Sequence, residues 1–296
     1  MNFGRLLTAM VTPFNGQGEV DFNKTEKLIE HLIDTGTDGL VVAGTTGESP
    51  TLTEKEKVAL FEFVVNQVDG RIPVIAGTGS NNTRESIELT KKAERAGVDG
   101  IMLVVPYYNK PSQQGLYEHF NQIAANTALP IMLYNIPGRT SVNMTPETII
   151  RLAEIENIVS VKEASGDLDA VSRIIEETAD DFSVYSGDDG MTLPIMAIGG
   201  TGVVSVASHV IGKDMKEMID SFLQQDHHRA AKIHRQIVPV VKALFQAPSP
   251  APVKAALNEI GIPVGDVRLP LVPLNEEERK NLKLALERFA LSTDKH

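Results

Sequence analysis

Short runs rich in Val, Ile, Leu and Met, four to six residues long, alternate over the first 225 positions with longer stretches whose apolar residues recur at helical spacing. The strand-like runs are Leu7–Val11, Gly39–Ala43, Val74–Gly77, Gly100–Val105, Ile131–Asn135, Ile158–Glu163, Ser183–Ser186 and Gly202–Ala207. Most lack a polar face, as expected of strands covered by protein on both sides. The helical stretches between them open with start signals. Thr53 with Glu56 and Asn82 with Glu85 have capping-box spacing, and Thr145 precedes Pro146 at a first-turn position. DTGTDG and RAGVDG place Gly36 and Gly97 just past helix ends, where a left-handed residue closes the last turn. Alternating strands and helices build either a barrel or a doubly wound open sheet. Eight strand-like runs favour a (β/α)8 TIM barrel over residues 1–225. From Asp226 the strands stop. Residues 226–296 read as a small C-terminal helical region, HHRAAKIHRQIVPVVKALF, PVKAALNEIG and NEEERKNLKLALERFA, with PSPAP breaking the first from the second.

Composition narrows the partners. A chain of 296 residues is long enough for a barrel, typically about 250 residues, to bury its own core. It has no cysteine, which excludes disulfides, thiolate zinc sites and a cysteine nucleophile, and fits a reducing cytoplasm. A formal charge of −11 argues against nucleic acid or an anionic membrane as the main partner. The opening apolar run stops at Pro13, too short for a signal peptide, and the longest one, near Pro194–Ala207, falls well short of the ~20 residues that span a bilayer. A soluble protein is expected.

In a barrel, chemistry comes from the carboxyl ends of strands and the loops after them. Those ends here read AGTTGES, PYYNKPS, YNIPGRT, VKEASGD, SGDD and GGTGVVS. Lys162 is the one lysine inside a predicted strand, flanked by Val159 and Val161. An inward lysine among apolar residues is held near neutrality by desolvation, and a neutral amine attacks ketones. It could instead be salt-bridged to Glu163 or serve pyridoxal phosphate, although no phosphate loop accompanies it. Gly44-Thr45-Thr46-Gly47-Glu48 offers backbone amides that can converge on a carboxylate, and it lacks the lysine of a phosphate loop; the alternative is a plain turn. Tyr107, Tyr108 and Tyr134 supply phenols that can relay protons with Thr45, or simply pack. Arg139 can grip a second carboxylate bidentately, or be solvated. The histidines form no ligand grouping, and His227, His228 and His234 fall in the helical tail. Asp188-Asp189 reads as a capped turn rather than a cation site, and no GxGxxG follows a strand. No metal or cofactor is expected.

Together GTTGES, YYNKPSQQGLYEHF, YNIPGRT and VKEASGD, in this order, resemble the pyruvate-dependent class I aldolases of the dihydrodipicolinate synthase and N-acetylneuraminate lyase family, from TAMVTPF to VRLPLVPL. The arginine of YNIPGRT is the mark of the first branch; neuraminate lyases usually carry an apolar residue there. The resemblance implies a Schiff base between Lys162 and pyruvate. It implies proton shuttling by Tyr134 with Thr45 and with Tyr108 from a neighbouring subunit. It assigns pyruvate's carboxylate to Thr46 and the loop amides, a backbone contact with pyruvate to Val204, and a place in the substrate site to Gly187. Arg139 would receive the carboxylate of L-aspartate 4-semialdehyde, giving 4-hydroxy-tetrahydrodipicolinate for lysine and diaminopimelate synthesis. Homotetramers built as dimers of dimers are common in the family.

Two other readings stay open on the residues: an aldolase using a different aldehyde, and a catalytically idle pyruvate-binding barrel, against which Lys162, Tyr134 and Thr45 count. One departure concerns regulation. Lysine-inhibited relatives carry two histidines in the helix after GTTGES, where this chain has Glu54 and Lys57, while Ser49, Asn81, Glu85 and Tyr107 still resemble the effector site. Glu54 and Lys57 are spaced to pair on the helix surface, and weak or absent inhibition by lysine is expected.

Overall fold

The computed structural model describes residues 3–293; residues 1–2, and 294–296 at the end of the expected helical region, lie outside the described residues. Eight parallel strands pair in chain order: β1 (Leu6–Ala9), β2 (Gly39–Val42), β3 (Val74–Gly77), β4 (Gly100–Val104), β5 (Ile131–Asn135), β6 (Ile158–Glu163), β7 (Ser183–Ser186) and β8 (Gly202–Ser205). β8 also pairs with β1, with Val204 opposite Leu7, so the sheet closes and the open doubly wound alternative is excluded.

Four predicted strands coincide with the observed ones; the others were read one or two residues too far at their carboxyl ends. The cause is visible at β1 and β8. Past Ala9, the Met10 amide still reaches Val41, but the Val11 amide turns to the His209 ring at 3.1 Å. Past Ser205, the amides of Val206 and Ala207 are taken by the Asp189 carboxylate, each at 3.2 Å. The chain stays apolar and buried there while its hydrogen bonds leave the ladder. Periodicity reads burial, not the partner of an amide.

Helices α1 (Phe22–Asp34), α2 (Glu54–Val68), α3 (Thr83–Arg95), α4 (Gln113–Ala124), α5 (Pro137–Thr140), α6 (Pro146–Ala153), α7 (Leu168–Glu177), α8 (Thr192–Ala197) and α9 (Ser208–Leu223) fill the connections. The local signals hold to different degrees. Thr53 and Glu56 form a full capping box on α2. Asn82 caps α3 from its own side, accepting from Arg84 and Glu85 amides. Thr145 gives α6 no side-chain cap; Pro146 alone opens that helix with a preset φ. Gly36 and Gly97 sit at φ +98° and +86°, the left-handed closure their position requires. After Asp226, α10 (His227–Leu244), α11 (Ala251–Glu259) and α12 (Glu276–Thr293) follow without further strands. The barrel lumen is packed by Leu7, Val41, Ile75, Met102, Met132 and Val204, leaving the carboxyl-terminal mouth for polar groups. Among the described residues, no helix is long and apolar enough to cross a membrane.

Candidate active site

Strand register assembles the centre. β5 and β6 pair with Tyr134 beside Lys162, so two polar side chains rise from neighbouring strands to one point. The Lys162 ammonium nitrogen lies 4.1 Å from the Tyr134 ring centroid. Lys162 is 5% exposed, and burial pushes its pKa from 10.5 down to about 8, against the opposing pull of Asp189 and with help from Arg139. This is the effect the sequence anticipated: a strand lysine kept near neutrality because an ammonium ion is poorly solvated in the lumen. No Glu163 salt bridge holds it. Glu163 turns to the Asn135 amide at 2.9 Å and the Ser165 backbone at 2.6 Å, and its own pKa is raised by burial.

Burial pushes the Tyr134 phenol up to about 12, with Arg139 and a hydrogen bond with Thr45 acting the other way. Tyr134 therefore stays protonated near neutral pH and is already linked to Thr45. Gly187 lies against the lysine: a Cβ there would fall 3.2 Å from Lys162 Cε and 2.6 Å from Ala164 Cβ. A side chain there would press first on Ala164 and then on the lysine stem.

A cleft of about 270 Å³ opens over this centre, with Gly44, Thr45, Met102, Tyr134, Ile136 and Arg139 in its wall. The GTTGE loop enters it tightly folded. Glu48 and Ser49 amides bond back to Thr45 and Gly44 carbonyls at 3.0 and 3.2 Å. The amides of Thr45, Thr46 and Gly47 make no hydrogen bond within the described residues, so three donors remain for an anion. Arg139 sits exposed on the short α5 and likewise has no ion-pair partner among the described residues. It is near enough to lower the pKa of both Lys162 and Tyr134. Val204 lies on β8, buried in the lumen cluster with Tyr134.

Tyr108 is the predicted site residue that this chain does not bring in. It is 89% exposed, with a left-handed backbone at φ +71°, and stands outside the cleft, whereas Tyr107 lines it. Asp188 caps its turn on the Gly190 amide at 2.7 Å, as read from the sequence. Asp189, read with Asp188 as part of that capped turn, is instead buried, accepts from the Ser205 hydroxyl at 2.5 Å and fastens the end of β8. Its signal was a strand-end carboxylate; nothing in sequence distinguished it from its neighbour.

The cleft also corrects one expectation. Glu54 pairs with Lys92 of α3, not with Lys57. Lys57 lies in the cleft wall near Glu54 and Glu85, half-buried, with its pKa lowered by burial. The reason is reach. The next helix offers Glu54 a lysine on its solvent side, while Lys57 turns inward.

Comparison with known proteins fits this geometry. The model of the dihydrodipicolinate synthetase family matches residues 2–289. A 4-hydroxy-tetrahydrodipicolinate synthase of Bacillus velezensis is 64% identical over 95% of this chain and 98% of its own. Among solved structures, a dihydrodipicolinate synthase from Bacillus anthracis superposes with a TM-score of 0.96 at 60% identity, covering 97% of this chain and 98% of its own. One from Cyanidioschyzon merolae, solved with lysine bound, gives 0.96 at 50% identity, covering 98% and 99%.

Proposed function

The chain belongs to the dihydrodipicolinate synthetase family, and from that membership we infer how its residues divide one reaction. It is a lyase of the class I aldolase type that condenses pyruvate with L-aspartate 4-semialdehyde to 4-hydroxy-tetrahydrodipicolinate, in lysine and diaminopimelate synthesis. In our reading Lys162 attacks the pyruvate ketone and expels water to form an iminium, which drains electron density from the methyl group. Loss of a methyl proton gives the enamine, whose carbon attacks the aldehyde, and the aldehyde oxygen takes up a proton; the semialdehyde's amine then attacks the imine carbon, closing the ring and expelling the Lys162 amine. Tyr134 and Thr45 move these protons, joined by Tyr108 from a second subunit. Thr46 and the free loop amides receive pyruvate's carboxylate, Val204 contacts it through its backbone, and Gly187 keeps room for the adduct. The observation that carries this reading is the buried, partly neutral Lys162 beside Tyr134.

Family membership is the ground for a homotetramer built from tight dimers, and the exposed Tyr108, outside the cleft of its own chain, fits a place at a neighbour's. Residues 1–225 would be the catalytic unit and 226–296 a helical appendage to it. A biosynthetic enzyme without cysteine fits the cytoplasm.

Arg139 has a separate task, the semialdehyde's carboxylate. Arg139→Ala is expected to lower kcat/KM for the semialdehyde by about 30- to 10³-fold, the range for stranding one partner of a charge pair that substrate binding dehydrates. Borohydride trapping of pyruvate should survive. Equal loss of trapping would mean that Arg139 organises the whole site instead.

Lysine is expected to inhibit weakly or not at all. The Lys57 ammonium in the cleft wall repels a ligand carrying its own side-chain ammonium. Such a contact is worth about 1 kcal/mol in water and several-fold more in a half-buried cleft, hence a tenfold or greater loss of affinity. Initial rates across lysine concentrations decide it. Strong inhibition below millimolar lysine would make this chain resemble the lysine-bound relative and overturn the assignment.

A further inference from the structure

Glu48 closes the GTTGE loop under two uncommon conditions: it is 2% exposed, and its backbone is left-handed, at φ +57° and ψ +37°. For a non-glycine residue that conformation is uncommon and costs free energy that its surroundings must offset. What offsets it comes from the far end of the chain. Lys254 of α11, 1% exposed, reaches Glu48 Oε1 at 2.6 Å. The Arg268 amide donates to Glu48 Oε2 at 2.8 Å, so one carboxylate oxygen is ion-paired and the other hydrogen-bonded. Lys254 is fixed in turn by the Asp266 carbonyl at 3.0 Å and by the Phe14 ring, whose centroid is 4.1 Å from its ammonium. The Arg268 guanidinium also lies over Phe14, at 4.3 Å, and donates to the Thr51 and Gly18 carbonyls.

The loop transmits this grip. The Glu48 amide bonds Thr45 O and its carbonyl accepts from the Thr51 amide, at 3.0 and 2.9 Å, so Glu48 closes the turn that carries the preceding three amides and ties it to the segment that follows. Those are the amides left free for an anion. A buried ion pair adds little net stability, because desolvation offsets attraction, but it fixes geometry.

We propose that Lys254 is a positioning residue for the reaction: through Glu48 it holds the loop amides of Thr45, Thr46 and Gly47 in register for the carboxylate of pyruvate. The C-terminal helical region thereby takes part in substrate binding without touching substrate. This rests on the reading of the GTTGE loop as the pyruvate cradle.

The test is two-substrate kinetics on Lys254→Met in the full-length protein. The KM for pyruvate should rise tenfold or more while the KM for the semialdehyde stays within twofold. Lys92→Met, which breaks the surface pair with Glu54, is the control and should shift neither. If Lys254→Met does not fold, Lys254→Arg and Glu48→Gln, which keep a donor or an acceptor in place, carry the same measurement. The more nearly isosteric Glu48→Gln should give the smaller rise. An unchanged pyruvate KM in folded variants, or an equal rise in both KM values, overturns the proposal. Thr46→Val separates the two readings. If it raises the pyruvate KM while the Lys254 variants do not, the cradle stands and the positioning role fails; if neither does, the cradle reading itself is wrong.

Discussion

Replacing Lys162 by alanine is expected to abolish turnover, a fall of at least about 10⁴-fold, as when the nucleophile is removed from a group of residues that acts as a unit. Borohydride with pyruvate should attach one reduced pyruvyl group to the peptide carrying Lys162 in the parent protein and none in the variant. An adduct that persists in Lys162→Ala would place the covalent chemistry elsewhere. The burial that identifies the residue also sets a pH dependence. Imine formation needs the neutral amine. With a pKa of about 8, roughly a tenth of Lys162 is neutral at pH 7, against about one part in three thousand at the ordinary 10.5. The sign is fixed: a lowered lysine pKa makes the reactive form more abundant at a given pH. The rate of imine formation should climb about tenfold per unit below pH 8 and level off above it. A climb continuing to pH 10 would show that the lysine is not desolvated in the working enzyme.

The alternation of short apolar runs with helical stretches was enough to read the barrel, because a strand buried on both faces leaves a nearly continuous apolar signature. Lys162 was legible for the converse reason: a charge amid Val159 and Val161 breaks that signature, and burying it is costly. What stayed hidden was pairing over long separations. Glu48 and Arg268 are 220 positions apart, and no local pattern around either one announces the other. Nothing in PVKAALNEIG marks Lys254 as buried, yet it is among the largest fully buried side chains of the described residues. Glu54 and Lys57 show the opposite failure. Helix spacing correctly made them neighbours, but spacing says nothing of Lys92 on the adjacent helix, which takes Glu54. Its place after strand four made Tyr108 a candidate relay phenol, but its entry into a neighbour's site came only from resemblance; one chain offers no physical reason to place so exposed a phenol in a catalytic set.

Tyr134→Phe is expected to lower kcat by about 10²–10⁴-fold, the contribution of a positioned general acid–base group. The phenol is suited to relay rather than to stand as a base. Burial holds it protonated up to about pH 12, so it can take up a proton only while giving its own to Thr45. That coupling has two consequences. Loss of Tyr134 should leave the limb of the pH profile assigned to Lys162 in place, because the phenol does not titrate in that range. The effects of Thr45→Val and Tyr134→Phe should also fail to multiply, since breaking either link disables the same chain. The double variant should lose little more than the worse single one. A loss equal to the product of the two would mean that they act independently and that the hydrogen bond between them is only structural. Tyr108 extends the test to assembly. Because it stands outside its own cleft, Tyr108→Phe should cost activity only where subunits associate. Diluting the parent protein until subunits separate should reproduce that loss; full activity in isolated subunits would leave Tyr134 and Thr45 as the whole relay.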